Sequence, residues 1–163
     1  MAQPVNLLGW ESAVPNPDKP PTRRSIAALE ARLAVAEAKR AALLKRGDRL
    51  VREFKSKYPD SPAYLVRYAD RTLNDYRWRL SGKAKYRGIG IPGNKAAVEL
   101  TGETGKKVLL SLPEAARIDW LRFEAWRQAM NYESAMTKYE VMRLRSLIER
   151  QELLRQLVRH GGN

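Results

Sequence analysis

Between Arg67 and Lys95 the chain carries Arg67, Arg71, Arg77, Arg79, Lys83, Lys85, Arg87 and Lys95 against Asp70 and Asp75, eight bases to two acids in 29 residues. Tyr68, Tyr76, Trp78 and Tyr86 are interleaved with them. Lysine and arginine neutralise phosphates, and an arginine fork also matches a guanine edge. Lys106 and Lys107 follow a short way downstream. These ten bases are the candidate nucleic-acid contacts. The competing reading buries Tyr68 and Tyr76 in the core and leaves the arginines as an ordinary solvated face.

Catalytic patterns fare worse. Gly88, Gly90 and Gly93 match G-x-G-x-x-G, but that fingerprint needs a buried strand before it and a helix after it, and Pro92 sits inside the match. Gly105-Lys106 has the end of a phosphate-binding loop, yet Leu100 stands where the first glycine belongs. Asp60, Asp70, Asp75, Glu99 and Glu103 are scattered over turns and basic segments, which suits no two-metal cleavage site. Tyr64, Tyr68, Tyr76 and Tyr86 could serve as nucleophiles, but the histidines that assist such chemistry are missing. The single histidine, His160, stands beside Gly161-Gly162, and there is no cysteine. The expectation is a non-enzyme with no metal and no cofactor.

The elements that must hold the basic block follow from periodicity. Residues 1–21 contain Pro4, Pro15, Pro17, Pro20 and Pro21 and show no period, so an extended tail is expected; Leu7, Leu8 and Trp10 could make it a docking peptide. Ile26, Leu29, Leu33, Ala36, Leu43, Leu50 and Phe54 recur at helical spacing and predict a helix over 22–57, capped by Thr22 or Ser25 and prone to a kink at Gly47-Asp48. Ser61-Pro62 suits a helix start, and Leu65, Tyr68 or Ala69, Leu73, Tyr76 and Leu80 form a stripe, predicting a short basic helix over 62–80. A Gly-rich loop follows. Val98 and Leu100, then Val108, Leu110 and Leu112, alternate about Thr101–Gly105 and predict one small β-hairpin within 81–112.

From Glu114 an apolar pattern near 3.6 residues runs for more than forty residues, predicting a long helix over 114–158. Its aromatic side, with Trp120, Phe123, Trp126, Tyr132 and Tyr139, is broader than one stripe. That breadth is more often buried packing than a binding surface; on the other reading Trp120 and Trp126 are the candidate partner-binding residues, for a second copy or another protein. The expected fold class is mainly α: a long antiparallel helical hairpin, coiled-coil-like, with the short basic helix and the β-hairpin inserted, and with residues 22–160 as a single helical domain.

The basic coiled segment, the block YLVRYADRTLNDYRWRLSGKAKYRG and the closing stretches RFEAWRQAMNYESAM and MRLRSLIERQ together resemble proteins of bacterial integrating conjugative elements, some labelled integrase regulators. The resemblance spans about residues 25–158. It implies a bacterial cytoplasmic protein that handles mobile-element DNA, and it transfers no catalytic residue.

Charge agrees with a polyanionic partner. The 163 residues include 31 Lys and Arg against 18 Asp and Glu, a formal net charge of +13. Residues 22–60 hold eleven bases and five acids, whereas 113–163 hold nine and seven, so the excess is concentrated before the last helix. No apolar run approaches a membrane span, and the absence of cysteine fits a reducing cytoplasm. The sequence therefore points to a nucleic-acid-binding accessory or regulatory protein, with DNA as the expected polymer. A non-enzymatic protein-protein interaction scaffold built on the long helices is the alternative.

Overall fold

The computed structural model describes residues 18–68 and 75–161. Helix α1 spans Arg23–Lys57, strand β1 Ala63–Arg67, strand β2 Tyr76–Leu80, strand β3 Ala97–Val98, helix α2 Glu103–Leu110 and helix α3 Glu114–His160, with a 3₁₀ helix at Ala84–Ile89. The protein is thus mainly helical, with one three-stranded antiparallel sheet in the order β1-β2-β3. No helix among the described residues is long and apolar enough to cross a membrane. The chain divides into two compact units, one from its start to Arg40 together with Thr137 onward, the other Ala41–Met136.

The two long helices stand where periodicity puts them. Thr22 and Ser25 cap α1 reciprocally: the Ser25 amide donates to Thr22 Oγ1 at 3.1 Å and the Thr22 amide to Ser25 Oγ at 3.0 Å. Pro113 precedes α3 and its carbonyl accepts from the Arg117 amide. In the first unit Leu29 and Ala36 of α1 bury against Val141 and Leu144 of α3. Arg32–Glu140 and Arg145–Glu37 bridge the same helices at 2.9 and 2.5 Å, but these exposed pairs each contribute only ~0–1 kcal/mol.

Two predicted elements change type. The helix expected over 62–80 is the β1–β2 hairpin. AYLVR and YRWRL alternate strictly: Ala63, Leu65, Tyr76, Trp78 and Leu80 face inward while Tyr64, Val66, Arg77 and Arg79 face outward. Period two outcompetes the apparent stripe because β-branched and aromatic residues fit a pleated, half-buried surface. The hairpin expected within 81–112 is instead the short strand β3 followed by α2, whose buried residues Gly105 and Val108 are three apart, as a helix requires. Gly105 permits that packing, since a Cβ there would fall 2.1 Å from the Glu99 carbonyl oxygen. Residues 1–17 of the expected tail lie outside the described residues.

The core of the second unit is aromatic. Trp78 stacks on Trp120 with centroids 5.0 Å apart, and Phe54 meets Trp78, Trp120 and Phe123 edge-on. A polar clamp fixes the sheet to α3. Glu124 accepts from the Trp78 indole at 2.7 Å, from Arg127 Nε at 2.8 Å and from Gln128 at 2.8 Å. Arg127 in turn donates to the Tyr76 carbonyl at 3.3 Å and to Glu99 at 2.9 Å. Asn131 then reads the whole Tyr76 backbone: its Oδ1 accepts from the Tyr76 amide and its Nδ2 donates to the Tyr76 carbonyl, both at 2.8 Å. At the end of the hairpin the Ser134 hydroxyl donates to the buried Asp75 carboxylate.

Burial alone would raise the Glu124 carboxyl, but the hydrogen bonds from Arg127, Trp78 and Gln128 outweigh it and hold the group below the usual carboxylate range. A carboxyl lowered on folding contributes stability that is fully present above its unfolded value and lost as pH falls through the folded one. The denaturation midpoint should therefore drop in acid. Glu124→Gln should remove part of that acid dependence while costing about 3–5 kcal/mol at neutral pH, because Arg127 keeps only the exposed Glu99 as counter-ion. Urea melts of both proteins across pH check this, and an unchanged acid slope in the variant would place the sensitivity elsewhere.

The expected kink at Gly47 is absent, for α1 runs unbroken through it. The glycine is there for proximity. A Cβ at position 47 would fall 2.0 Å from the Tyr76 hydroxyl, which donates to the Leu44 carbonyl at 3.2 Å. In an open helix interior Gly→Ala is worth about 1 kcal/mol of added stability. Here Gly47→Ala must displace the ring and should destabilise by about 1–3 kcal/mol, the cost of overpacking, in chemical denaturation. A more stable variant would show that Tyr76 does not press on this turn.

Candidate nucleic-acid interface

The hairpin register sets the outward side chains against one another: Tyr64 lies opposite Arg79, Val66 opposite Arg77, and Arg79 opposite Ala97 on β3. Arg79 Nη1 donates to the Tyr68 hydroxyl at 2.9 Å and its Nε to the Lys95 carbonyl at 2.5 Å. The Arg77 guanidinium stands 5.7 Å from the Tyr68 ring centroid. Tyr68 is thereby held between two arginines, a cation-π contact on one side and a hydrogen bond at its tip.

The 3₁₀ helix that follows carries the next group of bases. Lys83 and Lys85 both reach Asp60, whose backbone carbonyl accepts from the Tyr86 hydroxyl at 3.1 Å. Hydrogen bonds from Lys83 and then Lys85 hold the Asp60 carboxyl below its ordinary value, and Asp60 in turn raises Lys85. Arg87 packs along Gly93, where a Cβ would fall 2.2 Å from its Nε. Lys95 is exposed. From Tyr76 to Val98 the chain holds Arg77, Arg79, Lys83, Lys85, Arg87 and Lys95 and no acidic residue at all.

The other candidates part company from this group. Arg67 turns to Asp48 at 3.1 Å. Lys107 has Glu103 one helical turn away at 3.7 Å, and Lys106 is exposed on α2. Arg71 lies outside the described residues. Trp120, expected on a partner surface, is instead fully buried, and Trp126 is partly buried against the same core with its ring edge-on to Tyr76. The correction has a plain cause: Phe54 and the inner face of the sheet cover the aromatic side of α3 that the sequence left open.

No protein-family model, curated protein or solved structure matches the chain.

Arg77 and Arg79 are fixed cations beside the Tyr68 ring, and cations next to an aromatic ring are the two ingredients of sequence-tolerant nucleic-acid contact, while Tyr64, opposite Arg79, is partly buried against the core. The sequence offers Tyr64 only as a nucleophile; strict alternation through AYLVR is the signal that sets it on the outer side of the strand. Asp60 was likewise passed over as one of several scattered carboxylates, although it binds two of the candidate lysines. Asp60→Asn should release both and strengthen retention on a heparin column, moving elution to higher salt. Unchanged elution would remove Lys83 and Lys85 from the polyanion-binding surface.

Proposed function

We propose that this chain is a non-enzymatic nucleic-acid-binding accessory or regulatory protein, that its polymer is DNA, and that the outer face of the β1–β2 hairpin with the loop through Lys95 makes the contact. The observation that carries this reading is the acid-free stretch Tyr76–Val98, in which six bases are held at the sheet face and in the adjoining loop. Arg77 and Arg79 are positioned by β pairing and by Tyr68. Ordering them costs little on binding, because much of their rotamer freedom is already gone. A role in handling mobile-element DNA is the setting that the sequence resemblance implies.

Fluorescence-anisotropy titration of a labelled DNA oligonucleotide at two salt concentrations tests the reading. Affinity should fall steeply with salt, since each neutralised phosphate releases counterions. The double variant Arg87→Glu/Lys95→Glu alters two exposed side chains and should leave stability within about 0.5 kcal/mol per site. It should lower the salt slope by about 2, near 1 for each lost phosphate contact. No binding by the unaltered protein near physiological salt would overturn the proposal.

A second reading, an interaction scaffold, is favoured by a separate observation: the side of α3 away from the core exposes Ile118, Leu121, Tyr132 and Met136. In this reading α1 and α3 are an antiparallel pair, with Tyr58 hydrogen-bonded to Asp119 while Phe54, one turn earlier, packs on Phe123.

A further inference from the structure

In the Ala41–Met136 unit, α3 buries Trp120, Phe123, Glu124, Arg127, Met130, Asn131 and Ser134. The opposite side of the same helix is also apolar. Ile118, Leu121, Ala125, Ala129, Tyr132 and Met136 recur at spacings of three and four, and the four large ones are 66, 50, 66 and 52% exposed in that order. A surface helix ordinarily turns charge to solvent on the side away from its core. This stripe extends for about 27 Å at 1.5 Å per residue, and its large side chains stay exposed among the described residues. Isolated exposed apolar residues need no explanation, but a continuous row of them marks an interaction surface.

We propose that the stripe is the two-fold interface of a homodimer, α3 packing antiparallel on α3 of a second copy. Size and charge along the stripe point to this occupant. Large residues stand at both ends and small ones in the middle, so a two-fold axis at the level of Arg127 sets Ile118 against Met136 and Ala125 against Ala129. The backbones can then approach closely at the centre while the large side chains interlock at the ends. Arg122, whose guanidinium points along the surface to Asp119 at 2.8 Å, would lie against Tyr132 and next to Glu133 of the second copy. The parallel alternative lacks this contact: in register it sets Arg122 and Glu133 of the second copy roughly 16 Å apart along the helices.

Sedimentation velocity of the full chain at micromolar concentration should give twice the 18.6 kDa chain mass. Ala129→Glu should give the chain mass with an unchanged far-ultraviolet circular-dichroism spectrum, because position 129 is exposed in the fold. Orientation is read separately, and the absence of native cysteine makes that reading clean. A mixture of Ala125→Cys and Ala129→Cys chains should oxidise to mixed disulfide dimers, while either variant alone does so at least tenfold less. A monomeric unaltered protein, a dimeric Ala129→Glu with a native spectrum, or equally efficient self-linking by Ala125→Cys alone would each overturn the proposal. None of these readouts depends on nucleic-acid binding.

Discussion

A buried ion pair on one helix governs where the sheet can go. Glu124 and Arg127, three residues apart on α3, are almost wholly withdrawn from water, and a pair so placed is tolerable only if its remaining hydrogen-bonding capacity is filled. The hairpin fills it. Trp78 donates its indole proton to the carboxylate and Tyr76 offers its carbonyl to the guanidinium, while Asn131 takes up the rest of the Tyr76 backbone. The strand cannot slip by one residue. Such a slip would turn Trp78 outward, leave Glu124 short of a donor, and bring the arginines of YRWRL into an aromatic core. The specificity of this register comes from the polar clamp, whereas most of the favourable energy comes from the apolar contacts of Phe54, Trp78, Trp120 and Phe123.

The outward residues inherit their positions from that constraint. With Tyr76, Trp78 and Leu80 fixed inward, Arg77 and Arg79 have no alternative but the open face, where Tyr64 of β1 and Tyr68, just past its end, stand beside them. Lys83, Lys85 and Arg87 then follow at once, because the chain leaves β2 through a short 3₁₀ helix. Clustering of charge here is a consequence of strand pairing and of a tight exit from it. The like charges are tempered locally by Asp60, Asp48 and Glu103, which hold four of the candidate bases in exposed pairs of modest strength.

Much of this was legible in the sequence, and what was not fails for identifiable reasons. The two long helices are visible because their apolar period persists over many turns. The hairpin was misread because Leu65, Tyr76 and Leu80 satisfy a helical spacing and a strand alternation alike; the aromatic and β-branched content of AYLVR and YRWRL was the discriminating feature. Val108, Leu110 and Leu112 misled in the opposite direction, their alternation overridden by the packing of Val108 and Gly105 in α2. Tyr76 was placed in the interior under either period. Trp120 was not, because what covers it comes from Phe54, far away in the chain. Glu124 and Arg127 look like any exposed i,i+3 pair, and no local feature marks them as buried. Gly47 reads as a helix defect until the ring of Tyr76 is brought against it.

Within the Ala41–Met136 unit the basic face and the apolar stripe lie on opposite sides of one helix, and this bears on how the two proposed roles could coexist. The inner face of the sheet rests on α3 through Trp78 and Trp120, so the outer face, with Arg77 and Arg79, is directed away from that helix. The stripe from Ile118 to Met136 lies on the side of α3 that the sheet does not touch. A second copy on the stripe would therefore leave both basic faces open and turned away from the two-fold axis. Two surfaces directed apart suit two separate nucleic-acid segments better than adjacent half-sites on one straight duplex, where both readers must approach from the same side. The gain from pairing would come from effective concentration, one bound segment holding the second face near another segment, with no new contact to either.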